Sequence, residues 1–150
     1  MAKTKQKAIE DLLEKSTKIR NDVSVVALEL DPIDIIEVLN NLENELRLHR
    51  IIQMAQGENV VSIICDDPLA LKLSKEYGKR LLAYRKNLAA ITMSSPKTAV
   101  DTPGILAHIF KKFADNDINV VEVISCHSDV TFIINRNDSF KARNLLGKMI

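Results

Sequence analysis

The sequence predicts an α+β fold made of two copies of one small unit, each in the order β-α-β-β-α. Three observations carry this. Short runs of β-branched and aliphatic residues alternate with apolar residues at helical spacing. The same order returns at an offset of 130 − 60 = 70, when Val60 is set against Val130. And 46% of the 150 residues are apolar, which is enough to bury a core.

The elements follow in order. Residues 1–20 form a leader in which Lys3, Lys5, Lys7, Lys15, Lys18 and Arg20 outnumber the acids, and Ile9, Leu12 and Leu13 mark a helix over residues 5–16. A first unit occupies 21–86. Its residues 23–30 (VSVVALEL) read as a strand, and Ile33, Ile35, Ile36, Val38, Leu39, Leu42 and Leu46 then recur at helical spacing after Pro32. Residues 49–56 (HRIIQMAQ) and 60–65 (VVSIIC) form a hairpin around Gly57-Glu58-Asn59. Asp67-Pro68 opens a helix with Leu69, Leu73 and Tyr77 on its apolar side. Residues 79–87 fit either an extension of that helix or a short strand at 81–84.

A second unit, 87–150, repeats the pattern. Residues 88–93 (LAAITM) read as a strand, Ile105, Ile109, Phe110 and Phe113 as a helix, and 119–125 (NVVEVIS) and 130–135 (VTFIIN) as two strands. Phe140, Leu145, Leu146 and Met149 mark a final helix. RIIQMA falls on VVEVIS at the offset of 70, with Ile51 on Val121, while the helices match at 71, with Pro32 on Pro103, Leu39 on Phe110 and Leu42 on Phe113. The order is that of the ferredoxin-like split βαβ motif, a small antiparallel sheet with two helices on one face. The second unit has no fourth strand of its own. Strands such as VVSIIC are apolar at nearly every position, so burial on both sheet faces is expected.

Composition narrows the functional classes. Lys plus Arg total 21 against 20 for Asp plus Glu, a net charge of +1. Proteins of nucleic acid or membrane surfaces carry a strong positive excess instead. Aromatic residues make up 4% and Trp is missing, so no base-stacking platform is expected. The lone leader helix lacks the further helices of a helix-turn-helix. No signal peptide and no membrane-length apolar run is read, and Cys65 and Cys126 do not make a disulfide framework. The expectation is a cytoplasmic protein with neither a membrane nor a nucleic-acid partner.

The most informative segment is VDTPGILAHIFKKF, residues 100–113. Thr102 or Asp101 suits an N-cap, Pro103 the first helical position, and Gly104 then falls in the first turn. A glycine there lets another group approach the helix start without meeting a Cβ, and helix N-termini offer free N–H groups and partial positive charge to a carboxylate. Spacing alone also fits TPG as a loop-to-helix corner and nothing more.

Residues 100–134 (VDTPGILAHIFKKFADNDINVVEVISCHSDVTFII) resemble an ACT domain, the small-molecule regulatory module of aspartokinases and other enzymes of amino-acid pathways. The preceding NLAAITM is similar to the opening strand of such a unit, and the internal repeat extends the resemblance to residues 23–77. The resemblance implies a tandem pair of the aspartokinase regulatory type, with an amino acid bound between paired ACT units. It implies ligand contacts at Asp101, Thr102, Pro103, Gly104 and Ile105, with Asn119, Val120 and Val121 opposite. It further implies a homodimer or higher homo-oligomer, or a partner enzyme of amino-acid biosynthesis. In the first unit Ile33 stands where Gly104 does, so a second site there is not expected.

No enzyme is expected: there is no Gly-rich phosphate loop, and His49 and His108 lack a Ser or Cys partner. No cofactor is read, and no metal either, because Cys126, His127 and Asp129 lack paired ligand spacing. The rival function keeps the fold and drops the ligand, leaving a dimerisation or docking module.

Overall fold

The computed structural model describes Lys3, Lys7, residues 17–94 and residues 103–147. The expected leader helix over 5–16 and Met149 lie outside them. The chain divides into two compact units. The first is Asp22–Leu88; in the second, the described residues 17–21 group with 89–147.

Strand β1 (Thr17–Glu29) starts six residues before the strand expected at 23, inside the span assigned to the leader. Helix α1 (Pro32–Asn41) starts where the sequence places it, because three features agree there. The Asp31 carboxylate accepts from the Ile33 and Asp34 N–H groups, Pro32 fills the first position, and Ile35 and Val38 face the core. The expected single helix to Leu46 is broken at Leu42 and resumes as α2 (Glu43–Arg47). Asn40 and Asn41 are weak helix formers, and burial pins Leu42 in place. Strands β2 (Ile51–Gln56) and β3 (Val60–Asp66) form the expected hairpin. Helix α3 (Asp67–Glu76) follows, capped by Asp66 on the Leu69 N–H, and a 3-10 turn at Gly78–Arg80 leads into β4 (Leu81–Ser94). The ambiguous segment 79–87 is therefore mostly strand, continuous with the next one. The second unit continues with α4 (Ile105–Asp115), β5 (Val120–Cys126), β6 (Asp129–Asn135) and α5 (Ser139–Gly147).

The two long strands explain the missing fourth strand. Burial runs along β1 and β4 in the same order, except that β4 holds one more exposed residue. Asn87, with φ 58, lies in that exposed stretch, and a left-handed residue is how a strand absorbs an insertion. Each strand is cut by the unit boundary, so residues 81–88 serve the first unit and 17–21 the second. Within the first unit the hydrogen-bonded order is β2-β3-β1-β4, and within the second β1-β4-β6-β5. Both are the expected ferredoxin-like order, and the β1–β3, β2–β3 and β5–β6 pairs are antiparallel.

The repeat is one residue out of step with the sequence alignment. Ile51 pairs with Cys65 as Val120 pairs with Ile134, and both hairpins carry a bulge at the same place, Ile51/Gln53 and Val120/Glu122. The offset in the hairpins is thus 120 − 51 = 69, which sets Ile51 on Val120 rather than Val121. The helices keep 71, since Leu42 and Phe113 are both buried core anchors.

Each unit has its own core. Leu28, Ile63, Leu69 and Leu73 centre the first, with Tyr77 packed against it as expected. In the second, Phe132 meets Phe113 and Phe110 edge-on, at centroid distances of 5.5 and 5.6 Å. Val25, Ile64, Ala90 and Ile133 are buried yet lie outside those clusters, as strands covered on both faces require. Phe140, expected on the inner side of α5, is 74% exposed; Ala142 and Leu146 are the buried residues there.

Candidate functional site

The loop-to-helix corner differs from the sequence expectation by two residues. Helix α4 begins at Ile105, and Gly104 is its N-cap, so Pro103 and Gly104 precede the helix rather than open it. Asp101 and Thr102 lie outside the described residues. Gly104 has φ +90 and ψ 0, a conformation costly for any residue with a Cβ. Pro103 set the expectation as a first-turn residue, but the left-handed glycine after it delays the helix.

Among the described residues, a Cβ built on Gly104 meets no atom within 4 Å. Among the described residues no side chain caps α4, and the N–H groups of its first turn lie at the positive end of the helix dipole. Pro103 and Gly104 are exposed and Ile105 is half-buried against the core.

The equivalent corner of the first unit is closed from within. The Asp31 carboxylate lies 3.0 Å from the Ile33 nitrogen and 2.9 Å from that of Asp34, where a bound carboxylate would accept. Ile33, expected to obstruct this site, instead points to solvent; the carboxylate does the closing.

At the far end of the helix the units differ again. Asn119 is exposed, and Val120 and Val121 are half-buried. Val121 is the residue that the β5 bulge leaves out of the ladder, a local kink that re-aims a side chain. In the first unit the residue matching Asn119 at the offset of 69 is Arg50. Its guanidinium grips Asp66 through Nε (2.9 Å) and NH2 (3.2 Å) and Glu45 through NH1 (2.8 Å), and Lys72 adds a contact to Glu45. The hydrogen bond to Asp66 holds the Arg50 proton more tightly than usual, against the opposing effect of burial.

The expected ligand contacts therefore fall into two groups that one unit does not bring together. Pro103, Gly104 and Ile105 stand at the start of α4, and Asn119 to Val121 follow its end. An 11-residue helix separates them by about 16 Å. Sequence reasoning did not single out Asp31, Arg50 or Asp66; the helix-start pattern Asp-Pro was the available signal for Asp31.

Other candidates remain minor. His127 sits at the tip of the β5–β6 hairpin with φ 51, next to the free, exposed Cys126. Among the described residues, no group of His, Cys, Asp and Glu is arranged to hold a metal ion. No described helix is long and apolar enough to cross a membrane.

Comparison with known proteins agrees with this fold. Residues 83–148 match the family model of the ACT domain. The chain as a whole has the tandem ACT-like fold of aspartokinase regulatory subunits. It is similar to the ligand-free regulatory subunit of aspartate kinase from Thermus thermophilus, at 16% identity and a TM-score of 0.70, covering 92% of this chain and 98% of that one. It is also similar to E. coli aspartokinase III in complex with aspartate and ADP (R-state), at 15% identity and a TM-score of 0.71, covering 92% of this chain and 34% of that one. The same enzyme in complex with lysine and aspartate (T-state) matches at 14% identity and a TM-score of 0.60, covering 91% and 32%. The chain thus spans about a third of the E. coli enzyme's length. No curated protein matches the sequence.

Proposed function

We propose that this chain is a non-catalytic regulatory module that binds a free amino acid between ACT units. Binding shifts either its homo-oligomeric equilibrium or its docking on an enzyme of amino-acid metabolism. The open N-terminus of α4 at Gly104 carries the reading. Its free N–H groups suit the ligand's α-carboxylate, and the exposed carbonyl side of Asn119 from a neighbouring unit supplies an acceptor for the ammonium. Val120 and Val121 then meet the ligand's side chain. The fold shared with an aspartate kinase regulatory subunit, and with an enzyme whose structure holds lysine, supports an amino acid as the ligand class.

Such a ligand regulates only through unequal affinity for two states of the protein. A thermal-shift panel of the proteinogenic amino acids at millimolar concentration tests this. A ligand at 100 times its Kd stabilises by about 2.7 kcal/mol, a readily measured rise in Tm. One amino acid, or a chemically related few, is expected to give that rise and to change the sedimentation coefficient. A panel without any rise overturns the reading and leaves a ligand-free dimerisation or docking module.

A further inference from the structure

Helix α1 buries Ile35, Val38 and Leu42 and turns a second apolar stripe outward. Ile33 is 80% exposed, Ile36 62% and Leu39 40%, at a spacing of three residues along one side of the helix. Three aliphatic side chains on ten residues are more than a solvated helix face carries by accident. At the offset of 71 the matching positions on α4 are Gly104, Ala107 and Phe110, and Phe110 packs on its own core. The outward stripe therefore belongs to α1 and not to the repeat.

In sequence the stripe lies among acids, and through space Arg80 joins them by its pair with Asp34. Residues 29–48 hold Glu29, Asp31, Asp34, Glu37, Glu43 and Glu45 against Arg47 alone. Most of these acids are engaged: Asp31 caps the helix, Asp34 pairs with Arg80, Glu43 with Arg47 and Glu45 with Arg50. Glu37 is exposed and has no ion-pair partner among the described residues, and it lies one turn from Ile33 and beside Ile36.

We propose that this face of α1 is a docking strip for a partner protein's amphipathic helix with Lys or Arg beside its apolar residues. The partner's aliphatic side chains would cover Ile33, Ile36 and Leu39, and a cation would meet Glu37. Apolar contact supplies most of the affinity, and the charge sets the orientation and the choice of partner. This inference is independent of amino-acid binding, since α1 belongs to the unit whose helix start is already closed.

Two fluorescent 14-residue peptides test it, one a Leu/Lys amphipathic helix and the other its Leu/Glu counterpart, titrated with the full chain by fluorescence anisotropy. The Lys peptide is expected to bind and the Glu peptide to bind at least tenfold more weakly. Ile33→Ser with Ile36→Ser is expected to raise the Kd at least tenfold, and Glu37→Lys to raise it several-fold while flattening its salt dependence. All three positions are exposed, so unchanged Tm values separate lost binding from lost folding. Phe140→Ser, on another exposed aromatic, should leave the Kd alone. Equal binding of both peptides, or equal binding by the double variant, overturns the proposal. So does analytical ultracentrifugation in which the chain self-associates and the double variant alone is monomeric, because the occupant is then a second copy.

Discussion

The two units share an element order, a hairpin register and even a bulge, yet they finish their helix ends in opposite ways. The first satisfies itself. Asp31 caps α1, Asp66 caps α3, and Arg50 ties Asp66 and Glu45 together at the start of β2. In the second, among the described residues, no side chain caps α4 at Gly104, and the exposed Asn119 stands before β5 where the first unit has Arg50. Duplicated folds can divide labour in this way: one copy spends its polar groups on itself and is stable without help, while the other keeps them available. A helix N-terminus cannot be both capped by its own carboxylate and free for another.

That contrast is breakable at several points, starting with the cores. The second unit leans on its aromatic cluster, so Phe132→Ala is expected to cost about 3–5 kcal/mol, read as a fall in the urea midpoint. Next comes Asp66→Ala. It strips Arg50 of its main partner and uncaps α3 together, and a loss of about 3 kcal/mol should follow by the same measurement. The corresponding change in the second unit, Asn135→Ala, removes only a bond to the Asn137 N–H and should cost less than about 1 kcal/mol.

Asp31→Ala sharpens the comparison from the other side. It should cost about 1 kcal/mol and leave α1 with an open N-terminus like that of α4. Gly104→Asn is the reverse experiment. Asparagine tolerates the left-handed conformation better than other side chains and occupies the space over the glycine. Stability should change by less than about 1 kcal/mol, while the amino-acid thermal shift disappears. A retained shift would place the ligand elsewhere.

The smallest effect is one of pH. Burial raises the Tyr84 pKa, helped by the charges of Asp67 and Cys65. Because the folded value lies above the unfolded one, this contribution is complete below about pH 10 and fades as pH rises through the folded value. Tyr84→Phe should flatten that alkaline decline in a pH series of thermal melts. The matching strand position in the second unit is Arg20, so no comparable decline arises there.

Much of this organisation was legible in the sequence because it is local. Helix α1 started where Pro32 and the apolar spacing after it placed it, and the Asp67-Pro68 helix likewise. The TPG corner drew attention for the right reason but was placed two residues early. Proline at a first helical position is a good guide only when the next residue continues the helix, and Gly104 does not. The hairpins were found, but their repeat was read one residue out of step. Strands that are apolar on both faces lack the alternation that fixes a register, so a slip of one leaves the pattern looking equally good. The pairing showed the true offset through the shared bulge.

What the sequence by itself determined is the order of elements, the starts of α1 and α3, and the presence of two related units. These rest on contacts between residues a few positions apart. The tertiary structure decided which unit receives residues 17–21, how the matched strands register, and which side of α1 remains bare. Those facts depend on pairings between residues far apart in the chain, where many arrangements satisfy the same local pattern and only packing selects one.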